Sequence, residues 1–202
     1  MNWSGGLAMM TPGYTLPRFV RELRAIAAST ADPREITRRV RPLARGLALS
    51  RSWLAPQHTV ADEQQGFGIH VLHEEPDHSL LVFAAAWFPH RGVAPHNHGT
   101  WAVVAGVAGH ETNVFWKRID DRSRSGYAKL SKIGETLVGP GDVLMMLPDT
   151  IHSVTNQTAD VTVSLHVYGF NINLTQRSQF DPDRDVDESV TLKMTPAVQG
   201  ER

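Results

Sequence analysis

Apolar residues in the first quarter of the chain are spaced as in helices. They recur every three or four positions over residues 16–27, which predicts an amphipathic helix. A second helix is predicted to begin at Pro33, because Asp32 supplies an N-cap and proline suits the first helical position. Its apolar face continues to Leu43, but Pro42 predicts a kink or an end there.

The pattern changes at about residue 66 to short β-rich runs separated by Gly, Pro, Asp and Asn. We predict strands at residues 67–73, 79–88, 101–104, 111–118, 126–131, 142–147, 151–156 and 161–170. Eight short strands favour a barrel or a double-sheet jelly roll. The last 25 residues have little periodicity and are expected to form an extended arm or a frayed tail.

Composition limits the classes of function. The 202 residues carry a net charge of −1, so bulk electrostatics does not favour a nucleic acid or an anionic membrane as partner. The longest apolar run, residues 80–88, is too short to span a bilayer, and residues 1–6 lack the features of a secretory signal. With no cysteine there are no disulfides, thiolate metal ligands or cysteine nucleophiles. This fits a reducing compartment, and we expect a cytoplasmic protein, monomeric or homo-oligomeric.

Eight arginines lie between Arg18 and Arg45. They predict solvated helix faces that pair with an acidic segment, for which residues 181–188 are a candidate. The alternative is a basic patch for a polyanion.

His96 and His98 are the first candidate metal ligands. On extended backbone residues i and i+2 point to the same side, so both imidazoles can reach one ion. His152 follows an apolar strand and a Pro-containing turn, and antiparallel closure of a barrel would bring it beside the pair. The alternatives are surface histidines beside turns. We predict a metal site of three histidines that leaves coordination positions open for a substrate.

A second group lies on one predicted strand. Ser164, His166 and Tyr168 occupy positions i, i+2 and i+4, so their side chains face one side. His166 can then link the Ser164 hydroxyl to the Tyr168 phenol and orient that phenol.

The two histidine blocks resemble those of the cupin superfamily over about residues 67–168. With the Ser-x-His-x-Tyr group added, the sequence resembles the thiol dioxygenases, the cysteine dioxygenase family of cupins. The resemblance implies an all-β cupin (a double-stranded β-helix or jelly-roll barrel) with N-terminal α-helices. It also implies iron(II) held by His96, His98 and His152, with Ser164, His166 and Tyr168 as the catalytic group. We expect a helical segment at 1–60, the barrel at 61–175 and an extension of the same domain at 176–202.

The sequence segment from Trp87 to Trp101 resembles in particular that of the 3-mercaptopropionate dioxygenase branch of the family. There an arginine nine residues after the tyrosine binds the substrate carboxylate, which implies this role for Arg177. The cysteine-specific branch places an arginine at the position of Ile69 or His70 instead. Both are candidate pocket residues, and Trp101 is expected either in the core or in the pocket wall.

The implied reaction converts a small thiol carboxylic acid and O2 to a sulfinate. Two other functions stay open. One is a different metal-dependent cupin enzyme, such as a ring-cleaving dioxygenase, an isomerase or a decarboxylase. The other is a non-catalytic cupin that binds a metal or a small ligand.

Overall fold

The computed structural model describes residues 13–197, so the expectations for residues 1–12 and 198–202, including the lack of a secretory signal, lie outside it. Short 3-10 helices at Pro56–Thr59 and Ile172–Leu174 precede and follow most of the sheet structure. The main elements are α1 Leu16–Ser29, α2 Pro33–Ser50, β1 Phe67–Glu74, β2 Leu81–Trp87, β3 Gly92–His96, β4 Ala102–Ala108, β5 Glu111–Arg118, β6 Leu130–Val138, β7 Val143–Met146, β8 Ile151–Thr155, β9 Thr162–Tyr168, β10 Ser178–Asp181 and β11 Val186–Ser189.

The two helices are present where predicted, but α2 does not end at Pro42. Asp32 caps α2 as expected, since its carboxylate accepts a hydrogen bond from the Arg34 N–H at 3.0 Å. Pro42 lies on the exposed face, where the carbonyl that loses its helical donor can bind water. Burial of Val40, Ala44 and Leu47 on the other face carries the helix past the proline.

The strands form two antiparallel sheets that face each other. One has the order β1-β2-β9-β4-β7 and the other β11-β10-β3-β8-β5-β6. The helices cover the outer face of the first sheet, whose inner face looks into the barrel. The two facing sheets form a double-stranded β-helix, or jelly-roll barrel, with N-terminal helices, and the predicted fold class is confirmed.

Strands β2 and β9 are buried on both faces. In β9, Val163, Leu165 and Val167 belong to the core under the helices. Ser164, His166 and Tyr168 alternate with them and point to the barrel interior, as their spacing predicts.

Two strand predictions were wrong. Residues 126–131 do not form one strand, because Tyr127 bridges to Val186 and β6 starts only at Leu130. Strand β3 was missed because Gly92 and Pro95 weaken its β signal, and its pairing with β8 is irregular.

The expected frayed tail is also wrong over the described residues. Strands β10 and β11 form a hairpin that joins the second sheet beside β3. The polar composition of these strands gives no apolar strand pattern in the sequence. The hairpin is held by backbone pairing and by a 2.8 Å ion pair between Asp187 and Arg118.

The acidic segment 181–188 does not pair with the helix arginines. Asp181 pairs with Arg184 in its own hairpin. Arg24 of α1 instead contacts Glu75, next to β1. Within residues 13–197 no helix is long and apolar enough to cross a bilayer.

Candidate metal centre and its hydrogen-bond network

Three buried histidines meet at one end of the barrel interior. His96 ends β3 and lies directly opposite His152 of β8 in the antiparallel register. His98 follows on the extended chain, two residues on. One ring nitrogen of each lies within 4.8 Å of those of the other two, so the structure brings the three predicted ligands together.

Two of the three rings are held from behind, which leaves their other nitrogens facing the centre. His96 Nδ1 donates to the Ala94 carbonyl and His152 Nδ1 to the amide oxygen of Asn113, each at 2.9 Å. A proton on Nδ1 leaves Nε2 with its lone pair, the form that binds a metal. Asn113 was not identified from the sequence. A signal was present, because Glu111 and Asn113 are two residues apart on β5 and so point to the same face of the strand.

The closest pair of facing nitrogens is His98 Nε2 and His152 Nε2, 3.3 Å apart. Two nitrogens about 2.1 Å from one divalent ion, at an angle of about 90–110°, lie about 3.0–3.4 Å apart. The spacing therefore fits two ligands of one ion. Burial lowers the pKa of His152 to about 3, with Arg177 as a second cause, and lowers the pKa values of His96 and His98 well below normal. All three rings are neutral near pH 7, as metal binding requires.

No carboxylate joins this cluster among residues 13–197. Glu111, the nearest acidic residue after the His96–His98 pair, lies on β5 and bonds elsewhere. The donor set is three neutral imidazoles, which suits iron, zinc or another first-row divalent ion and leaves its charge uncompensated.

Ser164, His166 and Tyr168 form a continuous chain of hydrogen bonds. Ser164 Oγ lies 3.0 Å from His166 Nε2, and His166 Nδ1 lies 3.1 Å from the Tyr168 oxygen. Phe83 stacks on the His166 ring with the planes 11° apart, which fixes the ring's orientation. Tyr168 in turn packs edge-on against His98, so the chain ends beside the metal cluster.

The chain continues beyond the residues that the sequence indicated. The Ser164 hydroxyl donates to Glu111 Oε2 at 3.1 Å, and the Trp87 indole N–H donates to Ser164 Oγ at 3.0 Å. Asn113 Nδ2 lies 3.5 Å from Glu111 Oε1. Glu111 therefore joins the hydrogen-bond chain of Ser164, His166 and Tyr168 to Asn113, which holds His152 of the metal cluster. Burial raises the pKa of Glu111 to about 7, against the opposing effect of these hydrogen bonds.

Arg177 reaches the same pocket from the loop before β10. It is only 3% exposed, and its Nε and Nη1 have no hydrogen-bond partner among residues 13–197. Asn97, between the paired histidines, holds this loop, since its side-chain oxygen accepts from the Ser178 N–H at 2.8 Å. Burial lowers the pKa of Arg177, but a guanidinium stays charged at neutral pH. An unpartnered buried cation beside open metal positions is arranged to receive an anion.

Apolar side chains, including Phe67, Ile69 and Phe83, form the pocket wall. One expected pocket residue lies elsewhere. His70 follows Ile69 on β1, so it points to the opposite face, where its Nε2 contacts the Val60 carbonyl at 2.8 Å. The assignment of His70 to the pocket was wrong. Trp101 lies in the core beneath the helices, the first of the two positions that the sequence left open for it.

We expect Glu111→Gln to change how stability depends on pH. A glutamate has a pKa of about 4.3 when unfolded, so raising it to about 7 in the fold makes stability fall as pH rises between these values. The variant lacks this loss, and its stability relative to the wild type should rise by about 3 kcal/mol from about pH 5 to about pH 8. Chemical denaturation at both pH values measures the difference. A difference independent of pH would contradict the raised pKa.

The sequence matches no known protein-family profile. Among solved structures, oxalate oxidase with the substrate analogue glycolate is 12% identical with a TM-score of 0.42, over 55% of this chain and 54% of that one. The chain thus spans about half the length of that enzyme. A double-stranded β-helix protein from Klebsiella pneumoniae is 12% identical, with a TM-score of 0.45 over 62% of this chain and 88% of that one. A cupin superfamily protein from Desulfitobacterium hafniense is 14% identical, with a TM-score of 0.41 over 58% and 90%. These are distant likenesses of fold.

Proposed function

We propose that the protein is a non-haem iron(II) thiol dioxygenase that converts a small thiol carboxylic acid, of the 3-mercaptopropionate type, to its sulfinate. The observation that carries the proposal is Arg177, a buried guanidinium with two unpartnered donors that faces the pocket of the three-histidine cluster. A ligand with a carboxylate at one end and a thiolate at the other suits this pocket. The carboxylate would pair with Arg177 and the thiolate with the metal ion.

The overall reaction adds one O2 to one thiol and releases one proton, because the sulfinate product is ionised at neutral pH. Iron(II) would acidify the thiol and activate O2 when held by His96, His98 and His152. Arg177 binds the carboxylate with two parallel hydrogen bonds, which fixes the direction of the substrate.

Tyr168 is a second polar group of the pocket, and it lies beside the metal cluster because its ring packs edge-on against His98. Its phenol is held by His166 and Ser164, so it is oriented before substrate arrives. Burial raises its pKa, which keeps the phenol protonated and able to hydrogen-bond to the substrate. The aromatic wall of Phe67 and Phe83 excludes water, which strengthens these interactions.

Oxygen uptake by iron-reconstituted protein tests the proposal, with 3-mercaptopropionate, mercaptosuccinate, cysteine and cysteamine compared side by side. We expect uptake with a thiol acid, an equal amount of sulfinate, and little turnover of cysteamine, which has no carboxylate for Arg177. His96→Ala should abolish the uptake, while the control His110→Ala changes an exposed histidine and should retain it.

No uptake with any thiol, in protein that holds iron, would overturn the thiol chemistry. It would favour another metal-dependent cupin enzyme or a non-catalytic ligand-binding cupin.

A further inference from the structure

The buried carboxyl of Glu111 is not a member of the metal cluster, yet it ends a chain of hydrogen bonds that reaches the pocket. The chain runs from Glu111 through Ser164 and His166 to Tyr168, with successive distances of 3.1, 3.0 and 3.1 Å. No salt bridge of the described residues involves Glu111. Without a cationic partner, this buried carboxyl is not held in its ionised form.

Two neighbouring groups with fixed N–H donors determine which atoms of this chain can donate and which can accept. The Trp87 indole N–H can only donate, so it always occupies one acceptor site of Ser164 Oγ. Asn113 gives its oxygen to His152 Nδ1–H and therefore turns its NH2 to Glu111 Oε1. Glu111 Oε2 is left to Ser164, as acceptor when ionised or as donor when protonated.

The protonation state of Glu111 then determines the direction of every hydrogen bond in the chain from Glu111 to Tyr168. With Glu111 ionised, the Ser164 hydroxyl donates to it, His166 Nε2–H donates to Ser164, and the Tyr168 O–H donates to His166 Nδ1. The phenol oxygen thus presents only lone pairs to the pocket. With Glu111 protonated, its O–H donates to Ser164, Ser164 donates to His166 Nε2, and His166 Nδ1–H donates to the phenol oxygen. The Tyr168 O–H then points into the pocket.

We propose that Glu111 is the proton terminus of this chain, a positioning residue whose gain or loss of one proton reverses the direction in which Tyr168 hydrogen-bonds to the pocket. The two arrangements differ by one proton on Glu111, and one concerted shift converts them. A pocket group gives its proton to the Tyr168 oxygen, and each of Tyr168, His166 and Ser164 passes one proton on to the next group. Glu111 receives the last, and the three intermediate residues keep their charges.

This chain gives the proposed reaction a place for its proton. In that one respect the inference rests on the proposed function: the proton lost when the thiol becomes a thiolate would enter at Tyr168 and reach Glu111, away from the metal. The polarity switch itself depends only on the hydrogen-bond geometry.

Near-neutral titration of Glu111 is consistent with its surroundings. Burial raises its pKa to about 7. The titratable groups of the strands packed against β5 are His152 on β8, His166 and Tyr168 on β9, and, on β6, Lys132 and Glu135, which are exposed and pair with each other. His152 and His166 are neutral at this pH and Tyr168 stays protonated, so the titration belongs to Glu111.

The tautomer of His166 reports the switch directly. The test uses the full chain, labelled with 15N-histidine and loaded with Zn(II) as a diamagnetic probe, and follows the ring nitrogens by NMR across neutral pH. His166 is assigned from the signals lost in His166→Gln. We expect the proton on Nε2 above the transition and on Nδ1 below it, without formation of a charged ring.

Two variants locate the cause of the switch. In Glu111→Gln the amide NH2 faces Ser164, because Asn113 occupies the oxygen, so His166 should keep its proton on Nδ1 at every pH. In Ser164→Ala the carboxyl should still titrate in the infrared spectrum, but His166 should no longer follow it. Glu135→Gln, an exposed carboxyl on β6, should leave the switch unchanged.

A His166 tautomer that is the same at both ends of the pH range in the wild type would overturn the proposal, and so would a switch that persists in Glu111→Gln. The measurement involves no thiol and no turnover. A failed switch in a protein that oxidises thiols would refute this inference alone, and a working switch in a protein that does not would refute only the proposed function.

Discussion

Replacing His152 with glutamine is expected to abolish stoichiometric metal binding and all metal-dependent turnover. The change removes the one ligand that comes from β8, opposite His96 in the register. Loss of a partner behind a ligand typically costs 10–100-fold in metal affinity, so loss of the ligand itself should cost more than about 100-fold. Metal content after dialysis and oxygen uptake measure the two effects.

Two controls bracket this result. Asn113→Leu keeps the ligand but removes the acceptor behind it, and should weaken metal binding by about 10–100-fold. His110→Ala removes an exposed histidine and should leave metal content unchanged. Full metal occupancy in His152→Gln would contradict the three-histidine centre.

Replacing Arg177 with methionine is expected to raise the KM for a thiol acid much more than it lowers kcat. Removing one partner of a buried charge pair costs about 2–5 kcal/mol. At about 1.4 kcal/mol for each factor of ten, this is an increase of at least about 30-fold. The contact holds the carboxylate equally in the ground and transition states, which places the loss in KM.

The same substitution should make the free protein more stable. Without substrate, Arg177 is a buried cation with two unpartnered donors, and methionine fills similar space at no cost in charge burial. For Arg177→Met, steady-state kinetics should therefore show weaker substrate binding, while thermal unfolding should show a more stable free protein. Arg184→Met, on an exposed residue of the next hairpin, should change neither. An unchanged KM would remove Arg177 from the substrate site.

Local spacing was sufficient to predict the chemistry-bearing side chains of β9. Alternation places Ser164, His166 and Tyr168 on one face whatever the strand packs against. The meeting of His152 with His96 needed only antiparallel closure of the barrel, which the apolar strand and turn before His152 indicate. The placement of Arg177 came from a family resemblance, because its own segment has no strand pattern.

The errors come from features that depend on distant parts of the chain. Ile69 and His70 are neighbours on one strand, so only one can face the pocket, and the sequence does not say which sheet face the helices cover. For the same reason the sequence left Trp101 open between the core, where it lies, and the pocket wall. The links from Glu111 and Asn113 to other strands depend on register between β5, β8 and β9, which no local pattern carries.

We propose that this three-histidine pocket inserts both atoms of O2 into the sulfur of a thiol acid. Turnover of 3-mercaptopropionate under ¹⁸O₂, followed by mass spectrometry of the product, tests it most directly. We expect a sulfinate in which both new oxygens are labelled, and no labelled sulfinate with His152→Gln. A sulfinate whose oxygens come from water, or a disulfide as the only product, would contradict it.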